Sequence, residues 1–145
     1  MSHPFEGGCA HIRTHSDHAP IDNHICHSAA TQRITGQASA QVAYFNHDEL
    51  VVENIELVER QPFDAEDPSN RLVFATCGTC QAPIMIGDQL GRIRGVIPTI
   101  MGYDASFPAA TYHANLGPSA SDATSDDGLP VHAGLRPDFV WPPEM

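Results

Sequence analysis

The chain has 145 residues, and 18 acidic against 7 basic side chains give it a formal net charge of −11 at pH 7. Every basic residue is an arginine, which excludes Schiff-base chemistry and a phosphate-loop lysine. The acidic balance argues against a nucleic acid or an anionic membrane as partner, because affinity for phosphates comes mainly from Lys and Arg.

The length fits one domain, residues 1–145, with a modest hydrophobic core. No apolar run approaches the about 20 residues that cross a bilayer, and the N-terminus lacks the basic end and apolar stretch of a signal peptide. We therefore expect a soluble, cytoplasmic protein. Disulfides are rare in that compartment, so four cysteines together with nine histidines favour metal ligation.

The predicted elements are short, because 11 glycines and 12 prolines repeatedly interrupt the chain. One short helix is predicted over residues 28–34, with Ser28 as its N-cap and Gly36 as its end. Apolar runs predict strands at 41–45, 50–58, 72–75, 84–86, 93–97 and 111–115. Their spacing predicts a mostly β protein with antiparallel sheets and little helix.

Two later segments have distinctive compositions. Residues 117–130 are rich in Ser and Asp and poor in apolar side chains, which predicts an exposed acidic loop. Residues 137–145 form a proline-rich tail that carries the only tryptophan, Trp141. We expect Trp141 to lie on the surface of its own domain, and the alternative is a contact with a second copy in a homodimer.

The strongest chemical signal is the pair Cys77 and Cys80, a Cys-x-x-Cys turn between two apolar runs. Such a turn can direct both sulfurs at one zinc ion, which needs two further ligands. Cys9 and His11 lie two residues apart, and in an extended strand they would project to the same side. Together these four residues predict a closed structural zinc site with three thiolates and one imidazole.

Two other interpretations of the cysteines stay open. Cys77 and Cys80 have the spacing of a thioredoxin-like redox pair, although that pair normally opens a helix, and here strand-like residues follow. Structural disulfides are the remaining alternative.

The order of the motifs resembles the glutathione-dependent formaldehyde-activating family, which includes centromere-protein-V-like proteins. That family has Gly-Gly-Cys-x-Cys, then Cys-His-Cys-x-x-Cys followed by arginines and a glycine, then Cys-x-x-Cys-Gly. The corresponding segments here are Gly7-Gly8-Cys9-Ala10-His11, Cys26-His27-Ser28-Ala29-Ala30-Thr31-Gln32-Arg33 with Gly36, and Cys77-Gly78-Thr79-Cys80-Gln81. The resemblance runs from about Gly7 to Pro130.

The resemblance implies a two-sheet, tent-like β fold with a structural zinc held by the first and third motifs. These motifs correspond to Cys9, His11, Cys77 and Cys80, with His11 in place of the family's second cysteine. The middle motif of the family holds a second zinc implicated in catalysis. Here only Cys26 is kept, whereas Ser28 and Thr31 stand at the other two ligand positions. We therefore expect one structural zinc and a lost or altered second site.

The resemblance implies carbon–sulfur lyase chemistry that joins glutathione, a small thiol, to formaldehyde. The candidate catalytic residues are Cys26 as nucleophile, His24 or His27 as a nearby base, and Arg33, which matches a family arginine and could bind a carboxylate. A further possibility is that His24, Cys26 and His27 rebuild a metal site with a distant histidine. The alternatives are a non-enzymatic, zinc-stabilised binding module and a thiol redox protein that uses Cys77 and Cys80.

Overall fold

The computed structural model describes residues 5–114 and 128–144. The described residues form strands, one α-helix and one 3₁₀ helix. In chain order these are β1 (Phe5–Gly8), β2 (Arg13–Ser16), β3 (Asp22–Cys26), α1 (Ala29–Thr35), β4 (Ala40–Asn46), β5 (Val51–Val52), the 3₁₀ helix (Ile55–Leu57), β6 (Val58–Pro62), β7 (Leu72–Cys77), β8 (Pro83–Asp88), β9 (Ile93–Val96) and β10 (Tyr112–Ala114).

The strands form two sheets, which confirms the predicted mostly β fold with little helix. One sheet has the order β1-β2-β5, and the other has the order β10-β3-β4-β9-β8-β7-β6. Neighbouring strands are antiparallel with one exception, since β10 runs parallel to β3 and places Ala114 opposite Cys26. The predicted antiparallel pairing is confirmed for the other strand pairs, and that pair is the exception. Parallel strands need a long connection between them. Here more than 80 residues separate the two strands, and this connection includes most of the larger sheet.

The predicted helix is confirmed as α1, together with both of its ends. Oγ of Ser28 accepts a 3.2 Å hydrogen bond from the amide of Thr31, as an N-cap does. Gly36 ends the helix in the left-handed region at φ 70°, and its amide donates to the carbonyl of Gln32. The helix lies directly after β3, so its first turn lies beside Cys26.

The predicted strand over residues 50–58 is wrong. Only Val51–Val52 and Val58, the first residue of β6, are in strands there, and Asn54 adopts a left-handed φ of 63° that breaks the extended chain. The segment continues as the 3₁₀ helix and then as β6, whose residues after Val58 are exposed. The alternation of apolar residues with glutamates was therefore a misleading strand signal.

The C-terminal tail packs against its own chain. Trp141 is half-buried, lies 5.7 Å from the ring of Tyr44 and receives the guanidinium of Arg92 at 4.1 Å from its ring centroid. This placement is the one expected for a tryptophan on the surface of its own domain. Residues 117–127 of the predicted acidic loop and Met145 lie outside the described residues.

Two groups of buried apolar side chains position the two candidate sites. The larger group contains Cys26 and the central strands of the seven-stranded sheet, whereas the smaller group contains Cys77 and Ile12. Within the described ranges, the molecule has no helix with the length and apolarity required to span a membrane.

Candidate metal centre and thiol cluster

The four residues predicted to bind metal come together in space. The side-chain donor atoms of Cys9, His11, Cys77 and Cys80 all lie within 4.8 Å of one another, and this is the one such group of His, Cys, Asp and Glu in residues 5–114 and 128–144. Sγ of Cys77 lies 3.9 Å from Nδ1 of His11. The site therefore joins the β1–β2 connection to the β7–β8 connection.

Cys9 and His11 lie in a tight turn, not in the extended strand that we expected. The amide of Cys9 donates to the carbonyl of Ile12 at 2.8 Å, and the amide of His11 lies 3.4 Å from Sγ of Cys9. The turn begins at Gly8, whose φ of 97° is a conformation that glycine adopts without strain. The pair still projects to one side, but a turn and not the alternation of a strand produces this arrangement.

Cys77 and Cys80 lie on a second tight turn. The amide of Gln81 donates to the carbonyl of Cys77 at 2.9 Å, and the amide of Cys77 donates to Ala82 at 2.8 Å. Backbone amides of Cys80 and Thr79 point at the sulfur of Cys77 and lower the pKa of this thiol to about 6. Amides directed at sulfur are typical of a turn that holds a thiolate.

The donor set fits a tetrahedral ion. Metal–sulfur bonds of about 2.3 Å place tetrahedral ligand atoms about 3.8 Å apart, close to the spacing of Cys77 and His11. Three thiols and one imidazole complete four-coordination, so such a site is closed. It would hold the fold together and leave no position for a substrate.

A second cluster surrounds Cys26 at the end of β3. Oγ1 of Thr31 donates to Sγ of Cys26 at 3.0 Å, and Sγ lies 3.3 Å from Oγ of Ser28. Oγ of Ser28 in turn donates to Oγ1 of Thr31 at 3.1 Å. The three side chains thus form a closed triangle of hydrogen bonds, in which hydroxyls stand at the second and third thiol positions of the motif.

This triangle does not fit a second metal ion. Serine and threonine hydroxyls are weak zinc ligands at neutral pH, and here both hydroxyls are already used in bonds to each other and to the sulfur. Ser28 also caps α1 through its side chain. His24, Cys26 and His27 do not form a metal-binding group within the part of the chain that the structure describes.

His24 lies on the same face of β3 as Cys26 and is fully buried. Its Nδ1 lies 2.7 Å from Oδ2 of Asp22, another buried residue of this strand. The other ring nitrogen, Nε2, is buried and has no hydrogen-bond partner among the described residues. Asp22, His24 and Cys26 therefore form a line of alternate residues on one strand.

The carboxylate of Asp22 is held from two other segments. The hydroxyl of Tyr112 donates to both of its oxygens, at 2.7 and 3.0 Å, and Nε of Arg136 donates at 3.0 Å. Burial alone would raise the pKa of Asp22, but the bonds with His24, Tyr112 and Arg136 outweigh it and lower the pKa. Asp22 is therefore a buried anion at neutral pH.

The neighbours of Cys26 make its thiol acidic. Burial raises the pKa of Cys26, whereas His24, Ser28 and Thr31 lower it, and the net pKa is about 7. In the same way burial lowers the pKa of His24, but Asp22 and Cys26 raise it by more. Each residue therefore stabilises the charged form of the other.

The other two predicted catalytic residues lie elsewhere. Nε2 of His27 lies 2.8 Å from Nδ1 of His113 on β10, and burial together with the charge of His113 lowers the pKa of His27. Arg33 is half-exposed and pairs with Asp64 at 3.1 Å and Glu66 at 3.3 Å. The structure thus places His24, not His27, on the buried side of Cys26. The guanidinium of Arg33 is already paired with two carboxylates of this chain.

Sequence reasoning missed Asp22, Tyr112 and Arg136. A signal for Asp22 was available, because it continues the two-residue spacing of His24 and Cys26. Tyr112 and Arg136 gave no signal, since 90 and 114 residues separate them from Asp22.

Comparison with known protein families gives a match over most of the chain. Residues 6–113 match the model of the family described as glutathione-dependent formaldehyde-activating enzyme. The matched range includes the four residues of the metal centre and the whole Cys26 triangle. A search of curated proteins found no match.

Proposed function

The chain belongs to the glutathione-dependent formaldehyde-activating enzyme family, and from this membership we propose a protein that carries one structural zinc ion and performs carbon–sulfur chemistry at Cys26 without a second zinc. Its substrates are a small thiol such as glutathione and a small aldehyde. The observation that carries the proposal is the Cys26 triangle, in which hydroxyls occupy two expected thiol positions beside an acidic thiol.

The structural ion is proposed as zinc because of its donor set. Three thiolates and one imidazole in a closed, four-coordinate group are typical of structural zinc sites. Cys9, His11, Cys77 and Cys80 would hold the ion, and its role would be to join two turns that are remote in sequence. Such an ion contributes directly to the free energy of folding, because the unfolded chain does not bring these ligands together.

The chemistry at Cys26 is proposed from its environment. Without a second zinc, another group must keep the thiol ionised, since the thiolate is the nucleophile. The buried His24 and the hydroxyls of Ser28 and Thr31 fulfil that role here. The proposal therefore keeps carbon–sulfur bond formation with an aldehyde and replaces the zinc-activated substrate thiol by the acidic thiol of Cys26.

A second candidate function is a non-enzymatic, zinc-stabilised binding module. The observation that favours it is the loss of two thiols from the middle motif, because zinc activation of a substrate thiol is then absent. The two candidates differ in reactivity and not in fold.

The test is native mass spectrometry with elemental analysis, followed by an assay of glutathione with formaldehyde. We expect one zinc per chain and a rate of S-hydroxymethylglutathione formation above the uncatalysed rate, which Cys26→Ala abolishes while keeping its zinc. Two zinc ions would overturn the proposed loss of the second site. No zinc would overturn the structural ion and return Cys77 and Cys80 to redox chemistry. One zinc with no catalysis would favour the binding module.

A further inference from the structure

We propose that Asp22, His24 and Cys26 form a nucleophilic triad within strand β3, in which Cys26 attacks a small aldehyde, His24 acts as its acid and base, and Asp22 is a positioning residue. The inference deepens the proposed function and rests on it for the aldehyde substrate. It assigns the activation of the thiol to the chain's own side chains.

The geometry of His24 carries the inference. Its Nδ1 is bound to Asp22 at 2.7 Å, which fixes the proton on that nitrogen and directs Nε2 away from the carboxylate. Nε2 is buried and has no hydrogen-bond partner among residues 5–114 and 128–144. A buried polar atom without a partner costs free energy, so it needs a physical reason. The reason that we infer is proton exchange with Cys26, the next residue on the same face of the strand.

The charges around the triad are consistent with this assignment. The negative charge of Asp22 is balanced by Arg136, and the remaining proton is shared between His24 and Cys26. Among the described residues, the titratable and polar groups that face the triad are Ser28 and Thr31 at the start of α1, Tyr44 on β4, Tyr112 on β10 and Arg136 from the C-terminal segment, while His132 packs against the ring of Tyr112.

These surroundings leave His24 as the proton acceptor. Burial raises the pKa of Tyr44 and of Tyr112, so both phenols stay protonated at neutral pH. The ring of Tyr44 lies edge-on to that of His24 at 5.5 Å. Arg136 is a permanent cation bound to Asp22.

The proposed step balances without an oxidant or a metal ion. The sulfur of Cys26 attacks the carbonyl carbon, a carbon–sulfur bond forms, and the π pair of the carbonyl moves to oxygen. That oxygen takes the proton that Nε2 of His24 received from the thiol. The product is a neutral hemithioacetal. In the reverse sequence Nε2 of His24 takes the hydroxyl proton, the carbon–sulfur bond breaks, Cys26 leaves as the thiol, and the aldehyde is released to the sulfur of the substrate thiol. Cys26 is only 4% exposed, so a small uncharged aldehyde fits better than a large electrophile.

The test follows the alkylation of Cys26 by iodoacetamide in the full, zinc-loaded chain. Peptide mass spectrometry reads the rate at Cys26 alone, as a function of pH, in the wild type and three variants. His24→Gln removes the proposed base and keeps a polar group for Asp22. His27→Gln removes the rival base that sequence reasoning also named. His47→Gln is the matched control, because His47 lies at the far end of β4 and pairs with Asp48.

We expect the wild-type rate to be half-maximal near pH 7, the pKa of Cys26. His24→Gln should move the midpoint toward about 8.5, the value of an ordinary thiol, and lower the rate at pH 7 about tenfold. The profiles of His27→Gln and His47→Gln should match the wild type. A wild-type midpoint at about 8.5, or a shift caused by His27→Gln and not by His24→Gln, would overturn the triad. If His24→Gln does not fold, the wild-type profile and that of His27→Gln test the triad by the same criteria.

A second measurement separates the triad from the proposed function. ¹³C-labelled formaldehyde should give an S-hydroxymethyl signal in the NMR spectrum of the wild type that Cys26→Ala lacks. A midpoint near pH 7 without that signal would support the acidic thiol and overturn the aldehyde chemistry. The same signal at full intensity in Cys26→Ala would overturn Cys26 as the nucleophile.

Discussion

Oγ1 of Thr31 donates a 3.0 Å hydrogen bond to Sγ of Cys26 from the first turn of α1. In the family motif this position carries a thiol, and both side chains would then be ligands of one metal ion. The side-chain donor atoms of Cys26, Ser28 and Thr31 lie 3.0–3.3 Å apart, and two of them are oxygens at positions where the family motif has sulfur. Binding of a second ion is limited by side chains and not by the fold.

Restoring the thiols should therefore restore the second metal site. The double variant Ser28→Cys/Thr31→Cys places three sulfurs where the triangle now has one, and thiolates bind zinc far more tightly than hydroxyls do. We expect the zinc content to rise from one to two ions per chain by elemental analysis. The stability should fall by about 1 kcal/mol where Ser28 no longer caps α1.

The control for that variant is Ser28→Ala/Thr31→Val, which removes the same hydroxyls and adds no sulfur. It should keep one zinc ion per chain. A count of two in this control, or a count of one in the double cysteine variant, would contradict the interpretation of the triangle as an altered metal site.

The turn that holds Cys9 and His11 should be sensitive to a single methyl group. Gly8 has a φ of 97°, and a Cβ atom there would lie 2.2 Å from the carbonyl oxygen of Ile12. We expect Gly8→Ala to open this turn, release the zinc ion and lower the melting temperature. Gly36→Ala is the matched control, because Gly36 also has a positive φ of 70° but has no atom within 4 Å of such a Cβ.

The two glycine variants should differ in metal content as well as in stability. Gly36→Ala should cost roughly 1 kcal/mol, the strain of a left-handed alanine, and keep its zinc. Gly8→Ala should lose most of its zinc by elemental analysis of the dialysed protein. Equal zinc contents in the two variants would show that the turn at Gly8 does not position the ligands.

The buried carboxylate of Asp22 should make Tyr112 more important than an ordinary buried tyrosine. The hydroxyl of Tyr112 donates to a charged group, so Tyr112→Phe should cost about 1.5–3 kcal/mol in urea unfolding of the zinc-loaded protein. Tyr103→Phe is the control, since the hydroxyl of Tyr103 bonds the neutral Thr14 at 2.7 Å and its loss should cost about 0.5–1.5 kcal/mol. A smaller loss for Tyr112→Phe than for Tyr103→Phe would indicate that Asp22 is not charged in the folded protein.

The clustering of the four candidate metal ligands could be predicted from the sequence because they lie in two short motifs with fixed spacing. The order of these motifs indicated that they belong together, and the structure places their donor atoms within 4.8 Å. The turn around Cys9 was not predicted, because spacing alone does not distinguish a turn from a strand. The helix α1 was predicted with its ends, since Ser28 and Gly36 are local signals.

The polar network behind Cys26 could not be predicted from local signals. Strand β3 carries Asp22, Asn23 and His24, polar residues that are usually exposed, and all three are buried here. The burial of Asp22 depends on Tyr112 and Arg136, and that of Asn23 on carbonyls of Pro108 and Ala109, all from remote segments that reach β3 only in the folded chain. Strand β6 was missed for the converse reason, because most of its residues are exposed and follow no apolar pattern.

The two buried cysteines should respond in opposite ways to substitution. Cys77 is fully buried between the two turns of the metal centre, so Cys77→Ser should release the zinc ion and lower the melting temperature by roughly 10 °C or more, as a loss of several kcal/mol does in a domain of this size. Cys26 is also buried, but its sulfur bonds the hydroxyls of Ser28 and Thr31 and none of the candidate metal ligands. Cys26→Ala should therefore keep the fold and the zinc ion, with a cost of about 1–2 kcal/mol from the small cavity and the lost hydrogen bonds.

Circular dichroism melting with parallel zinc analysis checks both variants. An unchanged melting temperature and zinc content in Cys77→Ser would refute the structural ion, and unfolding of Cys26→Ala would place Cys26 among its ligands.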